Sequence, residues 1–125
     1  MCIISDRIRF IHPHYSHKIL YVGHDLSLLK FLQEILEDCH VVRCPDGSQA
    51  KSFIERINYS LLLLDEKLPD TTGLKMASFI RSLEHRKLMP IIILSENRCK
   101  RAGVIFNKPN DVKLLVRVIK DLLGM

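Results

Sequence analysis

Four consecutive leucines, Leu61 to Leu64, followed at once by Asp65, constrain this chain more than any other stretch. A strand with one wet face alternates apolar and polar residues. An unbroken apolar run closed by a charge and then by "EKLPDTTG" is the pattern of a strand covered on both faces. Parallel sheets bury strands in this way, because each crossover lays a helix against the sheet. "KILYV" and "PIIIL" repeat the pattern, and "HVVRC" and "GVIFN" are shorter versions of it. Between these runs, apolar residues recur at helical spacing. They are Leu28, Leu29, Leu32, Ile35 and Leu36, then Ala50, Phe53, Ile54 and Ile57, and then Leu74, Met76, Ala77, Ile80 and Leu83. A last set, Val112, Leu115, Val116, Ile119 and Leu122, closes the chain. Asp25 or Ser27, the turn Pro45-Asp46-Gly47-Ser48, and Thr71 or Thr72 supply the helix starts. The alternation predicts an α/β fold with right-handed crossovers and a parallel sheet.

The length of 125 residues suits one domain. We divide it into an N-terminal extension, residues 1–17, and a domain, residues 18–125. The extension carries "RIRFI" as a short strand pattern and then "HPHYSH", whose His12, His14 and His17 lack a cysteine or carboxylate framework for a metal and read as a solvated segment. No apolar run approaches the ~20 residues needed to span a bilayer, and no signal-peptide core opens the chain, so a cytoplasmic protein is expected. Cys2, Cys39, Cys44 and Cys99 form no Cys-x-x-Cys pair and read as free thiols, with Cys39 and Cys44 as packing residues.

The net charge of +5 favours acidic partners. Arg81, Arg86, Lys87, Arg98, Lys100 and Arg101 are candidates for one basic patch. A reading helix and stacking aromatics are both missing, so nucleic acid is not an expected partner.

In an open parallel sheet, sites lie beyond the carboxyl ends of the strands. This sequence puts Gly23, His24 and Asp25 there after the first strand, Asp65 after the third, Ser95 after the fourth and Lys108 after the fifth. A carboxylate, a hydroxyl and an ammonium on neighbouring strand ends make a small anion-handling site. The carboxylate can attack phosphorus, the hydroxyl can donate to a phosphoryl oxygen, and the ammonium can neutralise its charge. A simple Asp65–Lys108 ion pair fits the same residues equally well. A flavin-mononucleotide flavodoxin does not fit, because "GHDLSLL" offers one serine and one glycine where a phosphate cradle is needed. An aspartate phosphatase would need a general acid beside Asp65. Glu66 is near, but a second metal-binding acid pair is not visible.

From about Lys18 to Leu123 the chain resembles the receiver domain of two-component response regulators. "LLLLDEKLPDTTGLKM" resembles the phosphoacceptor strand and loop, with Asp65 as acceptor and Pro69 and Gly73 at the family's offsets. "PIIILS" puts Ser95 at the family's Thr or Ser, and "FNKP" puts Lys108 at its lysine. The resemblance implies a flavodoxin-like, doubly wound sheet of five strands in the order 2-1-3-4-5, and a phosphoaspartate switch supported by magnesium. It implies a histidine kinase, a phosphotransfer protein or an output protein as partner, and no enzymatic activity of its own.

Two departures from the family pattern stand out. The family ends its first strand in an acidic pair that holds magnesium; here those positions are Gly23 and His24. Magnesium wants oxygen ligands, which glycine lacks, and imidazole suits softer metals. Asp25 comes one position late and reads as a helix cap. Lys67 stands where the family lends a backbone carbonyl to the metal, and its ammonium can reach toward Asp65. Gly23, His24, Asp25 and Lys67 thus form a degenerate metal site, with Mg2+ bound weakly or not at all.

The second departure concerns the fourth of the family's five helices. Only residues 96–107 separate Ser95 from Lys108, and the last few belong to a strand. That helix is expected to be shortened or missing, and Ile105 stands in place of the family's switch aromatic on the output face. The chain closes at Met125 directly after the last helical pattern, so a stand-alone domain is expected, as a monomer or weak homodimer. The expected function is that of a divergent receiver acting as a protein-interaction module, its phosphorylation impaired. The alternative is a working phosphoacceptor modified on Asp65.

Overall fold

The structure, a computed structural model, describes residues 17–83, 86, 88–95, 104–107 and 112–125, with 104–107 as backbone alone. Among the described residues, nine elements follow one another. They are β1 (His17–Val22), α1 (Leu26–Ile35), β2 (Cys39–Cys44), α2 (Gly47–Arg56), β3 (Leu61–Asp65), α3 (Gly73–Ser82), β4 (Ile91–Ser95), β5 (Val104–Asn107) and α4 (Val112–Leu122). All pairings among the five strands are parallel, and the sheet order is β2-β1-β3-β4-β5, as the resemblance implies.

Strand alternation splits the core into two layers. Ile19, Tyr21, Leu61, Leu63, Ile92 and Leu94 face α1 and α4, where they meet Leu28, Leu32, Leu115 and Ile119. Leu20, Val22, Leu62, Leu64, Ile91 and Ile93 face α2 and α3, where they meet Ala50, Ile54, Met76 and Ile80. All four leucines of β3 have no exposed surface, so each contributes roughly 1.5–3 kcal/mol of burial. That is the physical content of the run that opened the sequence.

Helix starts follow local chemistry. Asp25 Oδ1 accepts from Leu28 N at 3.0 Å, Asp46 Oδ1 from Gln49 N at 2.8 Å, and Thr72 Oγ1 from Lys75 N at 3.2 Å. Asp25 and Thr72 thus hold the cap positions, rather than Ser27 and Thr71. Cys39 and Cys44 are buried, and burial pushes both thiols up.

The basic patch needs correction. Arg86 is buried and donates to the carbonyls of Ile54 and Ile57 and to Asn58 Oδ1, closing the last turn of α2. Arg81 Nη1 donates to Met89 O at 2.6 Å. Arg86 is tied into the fold, because a guanidinium fork matches the unpaired carbonyls around a helix end, and the exposed Arg81 holds one carbonyl just ahead of β4. Lys87, Arg98, Lys100 and Arg101 lie outside the described residues, as do residues 1–16, Cys99 and the expected shortening of the fourth helix. Among the described residues, no helix is long and apolar enough to cross a membrane.

Candidate functional site

Asp65 ends β3 at the centre of the sheet, and only 8% of it is exposed. The register sets its surroundings. Tyr21 on β1 pairs with Leu63, so Asp65 lies two residues further along the same face. From there the Tyr21 ring reaches the strand ends, and its hydroxyl donates to Asp65 Oδ1 at 3.0 Å. The Tyr21 hydroxyl oxygen in turn accepts from Asp25 N at 3.0 Å. His24 N donates to Asp65 Oδ2 at 3.2 Å. Burial first, and the Asp65 charge second, hold the Tyr21 phenol well above the ordinary tyrosine range.

Gly23 sits between these groups. A Cβ there would lie on the Asp65 carboxyl group and 2.5 Å from the Tyr21 hydroxyl, closer than real side chains approach. Gly23 N donates to Cys44 O at 3.0 Å, and Gly23 O accepts from Arg43 Nε at 2.8 Å. Arg43 Nη2 lies 3.4 Å from His24 Nδ1. A guanidinium therefore stands beside both Gly23 and His24.

Ser95 ends β4 with no exposed surface, and its hydroxyl donates to Glu66 Oε1 at 2.7 Å. Asp65 pairs with Leu94 and Ser95 with Asn107, so the ends of β3, β4 and β5 lie side by side. Lys108 follows Asn107 in sequence but lies outside the described residues, so the expected three-residue constellation is placed only for Asp65 and Ser95. Ile105 is on β5 in register with Ile93. Lys67 is exposed and bridges Thr72 through its backbone.

The loop after Asp65 is firmly held. Gly73 N donates to Glu66 O at 2.8 Å, and Leu68 N to Thr71 O at 3.1 Å. Asp70 accepts from Gly47 N and Ser48 N, both at 2.9 Å, which ties the loop to the start of α2. These bonds, with the one to Gly47 foremost, hold the Asp70 carboxyl below its ordinary value. Gly73 packs against β3, where a Cβ would meet Asp65 O at 2.8 Å.

A metal fits this donor set poorly. Each Asp65 oxygen already accepts from the protein, the Asp25 carboxylate caps α1, and Gly23 has neither a ligand nor room for one. The Arg43 charge beside residues 23 and 24 opposes a divalent cation there. Among the described residues, no group of three or more His, Cys, Asp and Glu side chains is placed to hold a metal ion.

Sequence reasoning missed Tyr21, Arg43 and the Ser95–Glu66 bond. Tyr21 carried a signal: it is the one polar tip in the otherwise aliphatic "ILYV", and a buried phenol needs a partner.

The model of the response regulator receiver domain matches residues 19–119. The chain belongs to the response regulator receiver domain family. It is a receiver of two-component phosphorelay signalling, a system in which receivers work with histidine kinases and phosphotransfer proteins.

Among curated proteins, this receiver is 29% identical over 79 residues to the signal transduction histidine-protein kinase BarA of Escherichia coli, covering 62% of the chain and 9% of the kinase. It is 26% identical over 122 residues to stress response regulator protein 1 of Candida tropicalis, covering 87% of the chain and 44% of that protein. The chain thus spans less than half the length of these relatives. Among solved structures, the receiver domain of a Pseudomonas aeruginosa sensor histidine kinase, with a magnesium ion in its active-site cleft, has 28% identity and a TM-score of 0.73. That match covers 87% of this chain and 98% of that one. A response regulator receiver domain from Methylobacillus flagellatus has a TM-score of 0.71 and supports the fold.

Proposed function

We propose that this receiver works as a protein-interaction module whose magnesium-dependent phosphorylation on Asp65 is impaired. The observation that carries this reading is that the Asp65 carboxylate accepts from a phenol and a backbone amide, with a glycine where the family keeps an acid. In phosphoryl transfer, the metal neutralises charge developing on the transferred group, a contribution of several kcal/mol. A tyrosine hydroxyl donates one hydrogen bond, worth about 0.5–1.5 kcal/mol net.

The Ser95 hydroxyl that would steady a phosphoryl oxygen instead serves Glu66. Breaking that bond is a further cost of phosphorylation. The chain thus relays signals through a binding surface and has no enzymatic activity of its own. Its partner is a histidine kinase, a phosphotransfer protein or an output protein, and it works in the cytoplasm as a monomer or weak homodimer.

The second reading, a working phosphoacceptor, is favoured by the burial of Asp65 at the sheet's carboxyl edge beside Ser95. Incubation with a small phosphodonor and magnesium, followed by intact-mass measurement, separates the two. The expected result is little or no phosphorylated protein. Rapid, stoichiometric modification of Asp65 would establish the second reading.

A further inference from the structure

We infer that Tyr21 is a positioning residue that closes this receiver's acceptor site to divalent cations, and that acids restored at positions 23 and 24 alone would not reopen it. This rests on the reading of an impaired metal site given above, and it goes further by naming the residue responsible.

The register supplies the first step. Tyr21 and Asp65 project from the same face of neighbouring strands, and residue 23, just past the end of β1, follows Tyr21 on that side. Three side chains therefore compete for one small volume at the strand ends. Tyr21 and Asp65 fill it, with their hydrogen bond of 3.0 Å across it. A Cβ at position 23 would then strike both partners, so glycine is the residue this pair admits. The missing acid and the tyrosine are linked by space.

The hydroxyl is also doubly held. It donates to Asp65 Oδ1 while accepting from Asp25 N, one residue before α1. Swinging the phenol away from Asp65 would strip a partner from that amide as well. The Tyr21 ring has no exposed surface and is packed in the α1–α4 layer with Leu28 and Leu32, so it cannot rotate freely into solvent. An aspartate placed at 23 would meet a carboxylate and a fixed phenol rather than a vacant ligand position.

Binding of Mn2+ to the full 125-residue chain, read by water-proton relaxation, tests this. Three proteins are compared: the unaltered chain, the double variant Gly23→Asp, His24→Asp, and the triple variant that adds Tyr21→Phe. Phenylalanine keeps the ring in the core and removes only the hydroxyl. A parallel triple variant with Tyr21→Val frees more space, and thermal melting checks that each variant folds. The expected result is weak binding by the unaltered chain and the double variant, and affinity at least about tenfold higher in a folded triple variant, the scale on which neighbouring hydrogen bonds tune metal ligands.

A double variant that binds as tightly as the triple variants would overturn the inference while leaving the impaired-site reading intact. So would folded triple variants that gain nothing. Tight binding by the unaltered chain would overturn the impaired-site reading itself. The single variant Tyr21→Phe keeps the test open if the acid variants unfold. In it, the Asp25 amide resonance should move and exchange faster with solvent. An unmoved Asp25 amide would show that the hydroxyl does not hold the site.

Discussion

Ser95 Oγ donates to Glu66 Oε1 at 2.7 Å, one residue past Asp65, and the hydroxyl is wholly buried. The bond links the ends of β3 and β4 and commits the hydroxyl at rest. Ser95→Ala removes the donor and leaves a partly buried carboxylate short of a partner. We expect a loss of about 1–2 kcal/mol in urea unfolding at neutral pH. An unchanged midpoint would mean that water replaces the hydroxyl at no cost.

Much of this fold could be read from the chain, because its strands are buried on both faces. The Leu61–Leu64 run, the Asp65 that ends it and the helical spacings between runs all depend on local periodicity, and the structure bears them out. The cap role of Asp25 was legible for the same reason, since capping is local chemistry. Tyr21 was harder. In "KILYV" it fills a core position, and only the register against β3 shows that its hydroxyl arrives at Asp65. Arg86 was misread because a charge run looks like a solvated face, while its acceptors lie on a helix about thirty residues earlier in the chain, at a separation that periodicity does not report.

Arg86 gives a prediction about stability rather than signalling. Its guanidinium serves three acceptors at the end of α2. Arg86→Ala should cost roughly 2–4 kcal/mol and lower the thermal midpoint by about 5–15 °C. Arg86→Lys should recover little, because an ammonium lacks the planar fork. Full recovery by lysine in a melting experiment would show that charge alone matters.

Alkaline unfolding reports on Tyr21. In the unfolded chain its phenol titrates near the ordinary value, about pH 10. In the folded chain, burial and Asp65 raise it well above that. The stability from the retained proton is therefore intact below pH ~10 and is lost progressively as pH rises past it. Tyr21→Phe should lower stability at neutral pH by about 1–2 kcal/mol and flatten the alkaline fall. Some slope should remain, because burial also raises the Tyr59 phenol. An identical alkaline slope in the variant would contradict the assignment.

The central claim, that the Asp65 carboxylate is held by the protein's own donors in place of a metal, is tested most directly at the His24 amide. Its N–H donates to Asp65 Oδ2 at 3.2 Å, so any cation taking up Asp65 must disturb it. The measurement is a magnesium titration of the isotope-labelled full chain, following that amide by heteronuclear NMR. The expected result is no saturable shift at magnesium concentrations well above cellular ones. A saturating shift of the His24 amide at low millimolar magnesium would contradict the claim.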